Sequence, residues 1–284
     1  MGRFSRSWAL MKESFAILRS DKQLMLFPIL SSISCIIVTG LIATGGVFAL
    51  LPQIKASALT GQQWHPAQNP AYLLALFAVY VANYFIIVFF NVALVGVANS
   101  RLMGGPWTFR DGLELAWNRK GAIFLWALVA ATVGIILRNL EERMGLLGRI
   151  IMRIVGIAWA LACYFVVPVL AFEGLTPFSA IKRSARLFRD TWGERVAGGF
   201  SFGLVFLVLL MPGVGFWVAA TMLFGVNGML IGMGVFFLYL MLLAVVSSAV
   251  QGIFNTALYR YACFKQVPPA FSAELITNAW APKS

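Results

Sequence analysis

Residues 7–51 read SWALMKESFAILRSDKQLMLFPILSSISCIIVTGLIATGGVFALL, and the change of character partway along decides the fold. As far as Lys22 the stretch is amphipathic, with Trp8, Leu10, Phe15 and Leu18 interleaved with Lys12, Glu13 and Arg19. From Leu24 the charges stop, and the apolar run is long enough to cross a hydrocarbon core, which takes about 20 helical residues. A secretory leader would have a shorter core and a small-residue cleavage site behind it. Here the run continues into Pro52 and Gln53, so it reads as an uncleaved spanning helix preceded by an interfacial one.

The rest of the chain repeats that alternation. Apolar runs occupy 24–51, 71–98, 121–137, 154–172, 196–224 and 229–264. With 61% hydrophobic and 11% charged residues and a mean hydropathy of +0.86, the chain falls far from soluble domains, in which about a quarter of residues are charged. One integral membrane domain over 1–284 is expected, with 265–284 as a short polar tail. The predicted class is an all-α polytopic membrane protein of six transmembrane helices.

Lys and Arg are distributed unevenly over the connections: five before the first run, then one, four, four, five, none, and three at the carboxy end. Cytoplasmic connections carry the excess of positive charge. Both termini and the second and fourth connections are therefore expected in the cytoplasm, in a prokaryotic inner membrane. The segment 138–153 conflicts with this rule, because it holds four arginines on the outer side. Glu141, Glu142 and the apolar Met144, Leu147, Ile150 and Ile151 lead us to predict an amphipathic helical extension there.

Three basic amphipathic stretches each precede a pair of runs, which suggests pseudo-repeats over 4–98, 108–173 and 177–264. At an offset of 170, Lys12 falls on Lys182, Ser14 on Ser184, Leu18 on Phe188 and Arg19 on Arg189. Phe90-Asn91-Val92-Ala93-Leu94 matches Phe254-Asn255-Thr256-Ala257-Leu258, with Val167-Pro168-Val169-Leu170 in the equivalent place. The run Pro168 to Glu173, followed by Pro177-Phe178-Ser179-Ala180-Ile181-Lys182-Arg183-Ser184, resembles the central motif of membrane domains attached to some bacterial glycerophosphodiester phosphodiesterases. It is also similar to related stand-alone prokaryotic six-helix families of unknown function. Asn255-Thr256-Ala257-Leu258-Tyr259-Arg260-Tyr261 and the stretch from Trp8 to Pro28 fit the stand-alone group better. The resemblance implies a membrane domain without the phosphodiesterase activity and supplies no site residues.

Within the runs, polar groups are few. Ser247, Gln251, Asn255 and Tyr259 recur every four residues on one helix face, and Asn83 and Asn91 add amides in the second run. They suit either interhelical hydrogen bonding or the lining of a polar path. Glu173, at the cytoplasmic end of the fourth run, suits either an ion pair with Arg183 or Arg186 or a proton relay. Met211-Pro212-Gly213-Val214-Gly215 predicts a kink or re-entrant break in the fifth run. Gly198, Gly199, Gly203, Gly228 and Gly232 permit close helix approach within or between protomers, so a homo-oligomer stays open.

The net charge of +12 is assigned to anionic headgroups on the cytoplasmic side, contacted by Lys12, Arg19, Arg183, Arg186 and Arg189, rather than to nucleic acid. Cys35, Cys163 and Cys263 are far apart and in no CxxC, and His65 stands alone in a polar loop, so no metal or cofactor is expected. Without paired carboxylates, a nucleophile set or a phosphate loop, a non-enzymatic role is expected: membrane-organising, lipid-interacting or partner-anchoring. The competing expectation is an oligomeric channel or transporter with a path lined by Asn91, Gln251 and Asn255.

Overall fold

The computed structural model describes residues 3–61, 69–192, 202–269, 271, 272 and 276; His65, Gly198, Gly199 and most of the 265–284 tail lie outside them. Among the described residues the chain is helical and carries no strand. The order is α1 (Arg3–Ser20), a 3-10 turn (Lys22–Met25), α2 (Leu26–Thr60), α3 (Pro70–Leu102), α4 (Phe109–Asn118), α5 (Lys120–Arg143), α6 (Leu146–Ala162), α7 (Val166–Phe172), α8 (Pro177–Trp192) and α9 (Phe202–Phe264). Five helical stretches are long and apolar enough to cross a membrane: Lys22–Thr60, Pro70–Leu102, Lys120–Arg143, Leu147–Phe172 and Phe206–Phe264. They leave Ile36, Leu41, Phe48, Leu74, Ile157 and Leu238 well exposed. A hydrocarbon surround suits such a surface; water does not.

Helix covers both ends of 138–153, with a turn between them where an unbroken extension was predicted. α5 runs through Arg143, Met144 and Gly145 adopt extended backbone, and α6 starts at Leu146. Both halves of the segment belong to long helices, which Trp126 and Trp159 hold together with rings stacked at 6.2 Å.

The fourth run is broken just ahead of Pro168, which has no N–H to reach the Tyr164 carbonyl and sits in the first turn of α7. α6 ends before Cys163, and α7 restarts after Phe165. A break at membrane depth is tolerated when protein groups satisfy the freed backbone. Here the buried Ser184 hydroxyl on α8 accepts from the Phe165 N–H at 2.9 Å. Ser184→Ala removes that acceptor and is expected to cost about 1–3 kcal/mol. Among the described residues Ser14, its counterpart at the 170 offset, bonds the Leu10 carbonyl of its own helix. Ser14→Ala should therefore be nearly neutral. Thermal unfolding of both variants in one detergent tests this, and equal shifts would refute it.

α9 is folded back on itself. Its single non-helical residue is Gly225, at φ 56° and ψ −135°, a conformation glycine reaches without a Cβ penalty. Trp217 stacks on Phe236 at 5.7 Å, the Trp217 indole N–H donates to the Met229 carbonyl, and the Tyr239 hydroxyl donates to the Leu209 carbonyl. These pairs converge on Gly225, so the two arms run antiparallel. Of the two alternatives at 211–215, the re-entrant break is corrected, since Pro212 lies inside continuous helix. Gly213 serves instead as a contact point, where an added Cβ would lie 2.6 Å from the Tyr239 ring.

At one end of the molecule α3, α7 and α9 touch pairwise, and the three amphipathic helices surround them. α4 lies on α3 and α8 on α7, each against the span before it; α1, which has no predecessor, lies on α9. The ring is closed by the first helix meeting the last. Burial follows one register in all three: Leu10 and Ser14, Gly112 and Ala116, Ala180 and Ser184 are the inward pairs, four residues apart. The three residues between each pair share the same sequence of half-buried, exposed, half-buried. The spans match likewise. Asn91, Val167 and Asn255 are half-buried, and the next four residues of each are buried.

Candidate functional site

The base formed by α1, α4 and α8 around the core spans also gathers polar groups. Glu173 follows the last residue of α7, where Gly174 at φ +63° turns the chain toward α8. A Cβ on Gly174 would lie 2.3 Å from Arg119 Nη1, and Arg119 Nε donates to the Ala171 carbonyl at 3.2 Å. Glycine suits the backbone angle there, and its missing Cβ leaves room for the Arg119 guanidinium.

The turn aims Glu173 at two partners. Arg183 Nε on α8 donates to both carboxylate oxygens at 3.1 Å, and the Tyr259 hydroxyl on α9 donates to Oε1 at 2.9 Å. One carboxylate thus joins three helices. Tyr259 also stacks on Phe172 at 5.7 Å, which fixes its hydroxyl. Burial works against the Arg183 charge, but the hydrogen bond and charge of Glu173 outweigh it and raise the guanidinium pKa.

The polar face of α9 is divided among separate tasks. Asn255 Nδ2 donates to the Tyr164 carbonyl at 3.1 Å, inside the α6–α7 break, while its Oδ1 is buried with no partner among the described residues. Gln251 is exposed and donates to Ser247 Oγ on its own helix at 2.8 Å. Asn83 Nδ2 reaches Thr39 Oγ1 on α2 and the Val79 carbonyl, both at 2.8 Å. Asn91 is half-buried. A common helix face does not give Ser247, Gln251, Asn255 and Tyr259 common surroundings.

Of the five cations assigned to headgroups, Lys12, Arg19, Arg186 and Arg189 are exposed, and Arg189 also contacts Asp190 at 3.3 Å. Arg183 turns inward to Glu173. Aromatic rings accompany the outward cations: Trp8 and Phe15 are exposed on α1 and Phe178 on α8, and Trp117 is exposed on α4, which carries none of the five.

Three contacts at the base escaped the sequence. Arg101 Nε meets Asp21 at 2.6 Å, Arg260 Nη1 donates to Asn99 at 2.8 Å, and Arg119 braces the α7 turn. Partners 80 and 161 residues apart leave no local signal. On α4, the Asp111 carboxylate takes the Thr108 N–H and hydroxyl, which lowers its pKa. On α1, burial raises the pKa of Glu13, opposed by the backbone N–H of Ser272. Among the described residues no group of three or more His, Cys, Asp or Glu is placed to hold a metal ion.

Residues 70–267 match the model of a protein family described as a family of unknown function, DUF6159. No curated protein and no solved structure matches the chain.

Proposed function

This chain belongs to the DUF6159 family of unknown function, and we propose that it is a non-enzymatic membrane protein that lies on three similarly seated interfacial helices and grips anionic headgroups through the cations of two of them, α1 and α8. One observation carries this reading: α1, α4 and α8 bury the same positions and turn mixed aromatic and charged faces outward. Amphipathic helices with cations on the polar side and large apolar residues below lie in the interface plane. The shared register also supports three pseudo-repeats, and the folding back of α9 at Gly225 supports six spans rather than five. In this reading each amphipathic helix belongs spatially to the span before it, and the base faces the cytoplasm of a prokaryotic cell. The resemblance to membrane domains of glycerophosphodiester phosphodiesterases fits such a lipid-facing role.

The amides speak against a polar path. Asn83 and Asn255 are held in specific hydrogen bonds, and Gln251 is exposed beside Ser247, so Asn91, Gln251 and Asn255 do not share one set of surroundings. Native mass spectrometry of the full chain released from nanodiscs with and without phosphatidylglycerol tests the proposal. Wild type should retain several anionic lipids, and K12Q/R186Q/R189Q fewer, since each interfacial cation is worth about 1 kcal/mol near an anionic surface. A closed ring of fixed stoichiometry with no anionic preference would overturn the proposal in favour of a pore.

A further inference from the structure

The arginines that conflict with the orientation rule lie at the end away from α1, α4 and α8, and there the structure holds a second site. The start of α3 and the end of α5 enclose a cleft of about 830 Å³, whose walls include Leu73, Phe77, Tyr80, Tyr84, Arg138 and Arg143. One side is apolar and the other cationic. Arg138 Nε pairs with Glu142 at 3.0 Å and its Nη1 lies 3.4 Å from the Tyr80 hydroxyl. Arg143, which also lines the cleft, has no ion pair among the described residues. Two guanidinium groups against the one carboxylate of Glu142 leave an excess of one positive charge.

We infer that this cleft binds the headgroup of an anionic phospholipid, with the phosphate on Arg138 and Arg143. Guanidinium groups suit phosphate oxygens because they present several donors in a fixed plane. The volume lies in the range that houses drug-sized ligands, far more than a phosphate ion fills. The apolar side also continues past the headgroup. Leu76 lines both this cleft and a groove of about 330 Å³ between α2 and α3, bordered by Ile42, Val47, Leu50 and Val79. An acyl chain has a route from one to the other. On this account 138–153 keeps its arginines because they hold a lipid. The site shares no residue with the interfacial helices, so it stands or falls separately from them.

The test uses the delipidated full-length protein in detergent, titrated with phosphatidylglycerol, phosphatidylcholine and inorganic phosphate. Wild type should prefer phosphatidylglycerol, and R138Q/R143Q should bind it about tenfold more weakly, as expected for the loss of charge-assisted contacts. Leu76→Trp, at a partly exposed position, should block the chain route and weaken lipid binding with both arginines intact. Glu142→Gln removes the competing carboxylate and should tighten binding, a gain that misfolding cannot imitate. Unchanged affinity in R138Q/R143Q and E142Q, equal binding of the two lipids, or displacement of the lipid by millimolar phosphate would each overturn the proposal. The last result would mark a free-anion site instead.

Discussion

A Gly112→Leu variant is expected to lose about 3 kcal/mol of stability or to fail to assemble, the upper end of what overpacking a core costs. Gly112 is the inward residue of α4 that faces α3. A Cβ there would lie 2.7 Å from Val97 Cγ2, 2.8 Å from the Ala93 carbonyl oxygen and 3.0 Å from Phe27 Cζ. The carbonyl belongs to a buried turn of α3 and cannot step aside as a side-chain tip can. Phe27 is also fixed, stacked on Phe109 at 4.7 Å. A leucine would therefore lift α4 off α3 and open one side of the ring. Gly45→Leu on α2 is the control, because no atom lies within 4 Å of a Cβ at that position. Thermal unfolding of both variants in one nanodisc composition measures the difference. Similar melting temperatures would mean that α4 is not seated as described.

The second large effect is expected at Glu173. Glu173→Leu leaves Arg183 and Tyr259 without their shared acceptor, and breaking a paired charge costs more than the pair contributed. The side chains of Arg183 and Glu173 remain 36% and 26% exposed. Partial solvation reduces the loss to about 2 kcal/mol. Glu173→Gln keeps an acceptor oxygen and should lose roughly half as much. A double-mutant cycle with Arg183→Leu should return a coupling energy of about 1 kcal/mol or more. Additive losses would show that the carboxylate joins α7 and α9 without α8.

Much of the architecture was legible because bilayer solubility is written in composition. Charge-free runs marked the long helices, and the gap at 225–228 between the fifth and sixth runs holds Gly225, where α9 turns back. The register linking Ser14 to Ser184 was visible because both positions must be small to sit against a neighbouring helix. The break at 163–165 had one local mark, Pro168, which has no N–H for the Tyr164 carbonyl, but the hydroxyl that takes the Phe165 N–H lies 19 residues away. Pro212 likewise left two readings open, a kink and a break. Proline has no N–H for the Val208 carbonyl four residues back, and the second arm of α9 brings a tyrosine hydroxyl to the neighbouring Leu209 carbonyl. In the polar face of α9, spacing fixed the direction of each side chain but not its partner. Gln251 is exposed with Ser247 half-buried beside it, whereas Asn255 and Tyr259 meet other helices.

The contact between α1 and α9 has a consequence for how the protein is made. A chain emerging amino end first exposes α1 before any of its lasting partners exists, and the α9 arm it seats on is nearly the last helix synthesised. During that interval α1 is an amphipathic helix without its protein neighbour, for which the bilayer surface is the available substitute. Assembly therefore ends with a transfer of α1 from lipid to protein that joins the two ends of the sequence. Chains truncated before α9 should insert most of their helices and still leave α1 open to proteolysis, with digestion slowing only once the last helix is added.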